Sequence, residues 1–170
     1  ADDDPELTAH VRTNYASVLY LRGELSEAEP HMRRAYRNVE STEGRLLPHT
    51  KINLGRLATQ RGRFDEASRF LADLEGDTVR LFGKGSWMHG TALARLGELA
   101  LAQGSRSVAR DHFTRLWNDF EEAPDALASN RAAAGVGLTW LALADDDVAG
   151  AQTRAAQLVS DIERSKARGD

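Results

Sequence analysis

A spacing of glycine and alanine recurs along this 170-residue chain and constrains its fold more than any local motif. Gly23 precedes Ala28 by five residues, Gly62 precedes Ala67 and Gly104 precedes Ala109, with steps of 39 and 42 residues between successive glycines. A further 42 residues beyond Ala109 lies Ala151, with Asp145-Asp146-Asp147 in the place of the turn. Each turn separates two stretches of helical hydrophobic period. A fixed period of this length predicts a stack of helix–turn–helix units, each packed on its neighbours. Seven residues before the turns stand Ala16, Gly55 and Gly97, with Thr139 in the matching place of the fourth unit. A glycine inside a helix costs about 1 kcal/mol relative to alanine. Its use twice at one repeat position predicts a close helix crossing, answered by Ala28, Ala67, Ala109 and Ala151 on the second helices.

The units read as follows. In the first, Leu7, Val11, Tyr15, Val18, Leu19 and Tyr20 recur at three- and four-residue steps, the apolar stripe of an amphipathic helix. Gly23 ends that helix, because glycine accepts the positive φ that closes it. Ser26 and Glu29 have the spacing of a capping box, and Pro30 is placed in the first turn, where a missing N–H costs little. Ala28, Met32, Ala35, Tyr36 and Val39 then form the inner stripe. The second unit runs from Leu47 to Arg61, turns at Gly62, and continues from about Phe64 with Ala67, Leu71 and Leu74. The third runs from about Trp87 to Gln103 and continues with Ala109, Phe113, Leu116, Trp117 and Phe120. The fourth runs from about Ala126 to Ala144, followed by Ala151, Ala155, Leu158, Val159 and Ile162.

Composition narrows the function. At 41% hydrophobic and 28% charged the chain is globular, and four prolines suit long helices. A formal charge of −4 argues against a nucleic-acid role, which needs a basic face. Without cysteine there is neither a disulfide framework nor a thiolate metal site, which fits a reducing, cytoplasmic setting. No apolar run approaches the roughly 18 residues of a membrane span. The opening Ala1-Asp2-Asp3-Asp4-Pro5 lacks both Met and a signal-like apolar region, and the chain reads as a segment excised from something longer.

No catalytic motif emerges. His10, His31, His49, His89 and His112 form no HExxH or HxxxH pair, so metal-ligand spacing is absent. Gly83-Lys84-Gly85-Ser86 lacks the earlier glycine of a phosphate loop, Thr78 standing there, and it has Gly85 where Ser or Thr must follow the lysine. Asp145-Asp146-Asp147 lacks the spaced ligands of a calcium loop and suits a helix N-terminus instead. Arg33, Arg34 and Arg37 lie near Glu29, Glu40 and Glu43 and read as a solvated, salt-bridged face. Neither a cofactor nor an enzyme activity is expected.

Small residue, seven residues, turn glycine, five residues, alanine resembles the tetratricopeptide repeat. Finer features resemble its kinesin-light-chain-like kind: Glu27-Ala28-Glu29-Pro30 opening a second helix, Asn14-Tyr15-Ala16 and Asn53-Leu54-Gly55 on first helices, and Leu81-Phe82-Gly83-Lys84 between repeats. Arg95 and Gly137 depart from the signature asparagine. The resemblance implies an all-α, right-handed superhelical solenoid of about four repeats and eight helices, one domain over 1–170 with repeats at 5–43, 44–82, 86–122 and 125–165. It also implies that first helices line a concave groove. The groove positions are then His10, Thr13, Asn14 and Ser17; His49, Ile52, Asn53, Arg56 and Gln60; Thr91, Arg95 and Glu98; and Val136 and Trp140. Among these, Asn14, Ser17, His49, Asn53, Arg56, Arg95, Glu98 and Trp140 are the expected peptide-binding residues. The amides suit an extended backbone, the arginines an acidic partner, and Trp140 with Val136 a large apolar residue. Thr13 and Ile52 stand where a chaperone-binding clamp would want lysine. The implied function is a scaffold or sensor module that binds a protein or peptide. The alternative is a regulatory or assembly region of a larger kinase- or protease-linked enzyme.

Overall fold

The computed structural model describes residues 5–41, 44–119 and 128–167. Among them are helices and turns and no strand. The chain divides into two compact units, Ala1–Phe82 and Gly83–Asp170. The first contains α1 (Pro5–Leu21), α2 (Leu25–Val39), α3 (Leu46–Gln60), α4 (Phe64–Leu71) and α5 (Leu74–Phe82). The second contains α6 (Trp87–Ala102), α7 (Arg106–Asp119), α8 (Ala128–Ala144) and α9 (Val148–Ala167). The eight expected helices are all present, the fourth in two segments. Within each unit, helices pack on their neighbours in chain order and on the next but one, α1 with α3 and α6 with α8. Phe120, Glu43 and the expected start of the fourth unit at Ala126 lie outside the described residues.

One turn geometry is used four times. Gly23, Gly62 and Gly104 have φ of +80°, +70° and +76°, and Asp146 takes the same left-handed place at +59°. The following amide reaches back five residues to close the helix: Glu24 to Leu19 at 2.9 Å, Arg63 to Ala58 at 2.9 Å, Ser105 to Ala100 at 2.8 Å and Asp147 to Ala142 at 2.9 Å. This is the Schellman closure, which satisfies carbonyls that the helix end leaves without partners. A connection this short forces the next helix back antiparallel to the last.

The packing alanines are buried: Ala28, Ala67 and Ala109 at 0% exposure and Ala151 at 3%. What stands opposite the internal glycines, however, is the side chain four residues beyond the alanine. A Cβ at Gly55 would run into Leu71, and one at Gly97 would lie 2.7 Å from the Phe113 ring. A Cβ added at Gly137 would lie 2.5 Å from the other edge of that ring. Phe113 is thus a wedge between the glycines of α6 and α8, and it centres a core that includes Leu93, Leu116, Trp117, Leu138 and Leu141. In the first unit, Ala16, Leu19, Ala28, Met32, Leu54 and Leu57 form a corresponding core.

Four sequence expectations change. Leu7, Val11, Tyr15 and Val18 are more than half exposed, and the buried face of α1 is Ala9, Thr13, Ala16 and Leu19. Close approach to α2 selects small residues there, so residue size rather than hydropathy decides which face turns inward. No capping box forms, because α2 already starts at Leu25 with no side-chain cap. Instead, Ser26 accepts a bond from Arg61, and the Glu29 carboxylate turns to Arg33, Arg61 and Arg63. Pro30 is the sixth residue of α2, beyond the first turn, and costs the helix one backbone hydrogen bond. Finally, the helix expected from Phe64 through Leu74 breaks: Ala72 is extended and Asp73 has φ +55°. The break redirects α5 onto α3, where Lys51 pairs with Asp77 at 2.7 Å and Thr78 is fully buried.

Candidate functional site

In the first unit, α1 and α3 lie side by side and bring five of the expected residues together. The Asn53 amide nitrogen donates to Ser17 Oγ at 3.4 Å, and Ser17 in turn donates to the Thr13 carbonyl at 2.8 Å. One turn further on, the Arg56 guanidinium lies 4.1 Å over the Tyr20 ring. At the opposite end of the pair, the Asn14 amide nitrogen is 3.2 Å from His10 Nε2, and His49 is the neighbour of His10. The amides and the guanidinium are therefore pre-positioned by contacts within the unit, in the order His10–His49, Ser17–Asn53, Tyr20–Arg56. Thr13 and Ile52 are buried at 6% and 7% exposure; Ile52 belongs to the helix interface, and Thr13 reaches only the wall of the cavity at the histidine end. Helical geometry places them one position off the exposed stripe.

The histidine end opens into a cavity of about 570 Å³. Besides His10, Asn14 and His49 it is lined by Arg45 and Phe82, which sequence reasoning did not select. Arg45 precedes α3, and its guanidinium sits 5.1 Å over the Phe82 ring while donating to the Leu81 carbonyl at 3.2 Å. Phe82 also meets the His49 ring edge-on at 6.1 Å. Burial, followed by the nearby His10, holds the His49 imidazole below its ordinary range.

In the second unit, α6 and α8 flank an open groove of about 610 Å³. Ala132, Ala133 and Gly137 floor it beside the Phe113 ring, Glu98 stands at one edge and Val136 and Trp140 at the other. Val136 and Trp140 are 60% and 57% exposed. Such exposure of a large aromatic beside an apolar floor is the arrangement that anchors a partner side chain. Arg95 pairs with Glu98 at 2.5 Å. Thr91, by contrast, is a core residue: it donates to the Trp87 carbonyl at 2.9 Å and to Asn130 Oδ1 at 3.3 Å. The run Ala132-Ala133-Ala134-Gly135-Val136-Gly137, which sequence reasoning did not single out, leaves room above the backbone here. Among the described residues no group of three His, Asp or Glu is arranged to hold a metal ion, and no helix is long and apolar enough to cross a membrane.

The fold and these surfaces define a helical-repeat protein of the all-α class. Residues 6–74 match the family described as tetratricopeptide repeat, a match that supports a tetratricopeptide repeat domain. Such repeats generally mediate protein–protein interactions. Among 24 similar chains of solved structures, the crystal structure of BtubC (BKLC) from P. vanneervenii superposes with a TM-score of 0.82 over 98% of this chain and 67% of that one, at 17% identity. The likeness is one of fold. The comparison with curated proteins found no match.

Proposed function

We propose that this chain is a protein–protein interaction module that holds a partner segment on the exposed faces of its first helices. The observation that carries the reading is the groove between α6 and α8, where Trp140 and Val136 stand exposed beside an alanine and glycine floor. A partner presenting one large apolar side chain buries it there, while the amides and guanidinium along α1 and α3 suit an extended, acidic segment. The 39- and 42-residue steps and the Glu-Ala-Glu-Pro segment support the finer assignment to kinesin-light-chain-like repeats at 5–43, 44–82, 86–122 and 125–165.

A peptide array followed by titration tests the reading. A peptide with one Leu, Phe or Trp among acidic residues is expected to shift the emission of Trp140 on binding, and Trp140→Ala to weaken it at least fivefold with the melting temperature unchanged. Asn53→Ala with Arg56→Ala is expected to weaken the binding of an acidic peptide several-fold. Full affinity in the Trp140→Ala protein removes the groove from the binding surface.

A further inference from the structure

The repeat that builds the fold also marks the faces it buries. Five residues before, one before and two after the small residue of a first helix stand Thr50, Leu54 and Leu57 on α3 and Ala134, Leu138 and Leu141 on α8. All six are buried. Their cover includes the second helix of the preceding repeat: Leu54 and Leu57 share a core with Met32 of α2, and the α8 residues share one with Leu116 and Trp117 of α7. On α1 the same three places hold Val11, Tyr15 and Val18, which are 59%, 51% and 54% exposed. The second helices match this from the other side. Four and eleven residues after its packing alanine α2 buries Met32 and Val39, and four and eight residues after its own α7 buries Phe113 and Trp117. On α9 these places hold Ala155, Val159 and Ile162, and all three are exposed. The open faces of α1 and α9 are therefore the two halves of the interface that stacks one repeat on the next.

We propose that α9 of one copy of this chain stacks on α1 of a second copy, as α2 stacks on α3 and α7 on α8. The internal interface supplies the register. Val39 of α2 shares a core with Leu46 and Leu47 at the start of α3, while Met32 shares one with Leu54 and Leu57 further along. Carried to the two copies, Ile162 meets Leu7 and Thr8, Ala155 meets Tyr15 and Val18, and Val159 lies between them over Val11. A hollow of about 430 Å³ receives them there, walled by Leu7, Val11, Arg12 and Tyr15. The His31 ring meets Tyr15 edge-on at 4.9 Å and holds that wall in place. Charge agrees with the register. Arg12 Nε is buried without a hydrogen-bond partner, and its guanidinium has no carboxylate partner among the described residues. Glu163, one residue beyond Ile162, is exposed and likewise unpaired among them. The register brings this carboxylate to the end of α1 that carries Arg12, where one ion pair between copies satisfies both. The contact joins two different faces, so each copy keeps one face free after pairing, and association continues beyond the first contact.

The test is sedimentation velocity on the whole chain across a concentration series. The average mass is expected to climb above that of the monomer as concentration rises. Val11→Glu with Val18→Glu closes the α1 face, and Val159→Glu with Ile162→Glu closes the α9 face. Each of these two proteins alone is expected to stay monomeric and to melt with the parent, because the altered side chains are exposed. Mixed in equal amounts, they are expected to form a heterodimer and nothing larger, since each still carries the face that the other needs. Arg12→Glu is expected to weaken the contact roughly threefold at low salt, the weight of one exposed ion pair, and Arg12→Glu with Glu163→Arg to restore it. The proposal is overturned by a parent chain that stays monomeric at every concentration, or by a mixture that does not pair. It is equally overturned by a single-face variant that still associates alone, the result expected of α1 on α1 or α9 on α9. None of these residues lines the groove between α6 and α8, so the Trp140 titration is decided separately.

Discussion

Phe113 shows how little slack the core has at the level of single residues. Its ring occupies space that Gly97 and Gly137 leave on two different helices. Gly97→Ala and Gly137→Ala should each cost about 1–3 kcal/mol, the usual penalty for overpacking, measured by chemical denaturation. Adding Phe113→Leu to Gly97→Ala should recover part of the loss, because it removes the ring edge that the new methyl meets. A Gly97→Ala protein as stable as its parent would mean that the wedge is not there. Ala67→Leu and Ala109→Leu should destabilise by a similar amount, since both sites are fully buried. The alanines were legible in the sequence because a repeat shows which small residues are kept at equivalent places. Their partners Leu71 and Phe113 were not, since the direction in which a side chain leaves one helix toward another depends on the crossing itself.

At the scale of the element, the turns carry the clearest link from sequence to structure. Glycine reaches the left-handed region without strain, and three of the four closures use it. Asp146 does the same work at a cost of about 1 kcal/mol. Asp146→Gly is therefore expected to raise stability by up to about that amount, and Gly104→Ala to lower it similarly; a calorimetric scan of the two variants decides the matter. The helix faces were harder to read. A count of apolar residues on α1 selects Leu7, Val11, Tyr15 and Val18, but close packing against α2 admits only the smaller Ala9, Thr13 and Ala16. The same contest hid Thr13, Ile52 and Thr91 as interior residues. Arg45 and Phe82 went unseen for another reason: they meet because the chain breaks at Ala72 and Asp73 and α5 turns onto α3, a tertiary event with no periodic trace.

For the molecule as a whole, acid response should follow a few carboxylates and one imidazole. Glu29 receives Arg33, Arg61 and Arg63, and Glu66 extends the cluster through Arg33 and Arg63. The hydrogen bond from Arg63, opposed by burial and reinforced by Arg33, lowers Glu29 from 4.5 to about 2. For Asp77 burial works the other way, but Lys51 and Arg80 outweigh it and the net shift is also downward. A lowered carboxylate contributes stability that is complete above its unfolded pKa and lost as pH falls through the folded one. For Glu29 that window runs from about 4.5 down to about 2, and the contribution is on the order of 2–3 kcal/mol once solvent screening is allowed for. Glu29→Gln should lower the melting temperature at pH 7 and approach the parent only as the pH falls to about 2 and below. His49 has the same sign at a higher pH: with its imidazole lowered, stability is present above about pH 6.5 and declines below it. His49→Gln should flatten that first decline, and an identical slope between pH 7 and pH 5.5 would show that the ring does not titrate as described.

The outward stripe of α1 has a practical side. Leu7, Val11, Tyr15 and Val18 put four large apolar side chains on one helical face in water, a pattern that favours self-association at preparative concentration. Charge placed there should cost the fold little, because the inward face is the small one. Val11→Glu with Val18→Lys is expected to leave the unfolding free energy within about 0.5 kcal/mol of the parent while raising the concentration at which the purified chain stays monodisperse. Light scattering across a concentration series measures that directly, and it makes the misread face of the helix the first place to engineer a better-behaved sample.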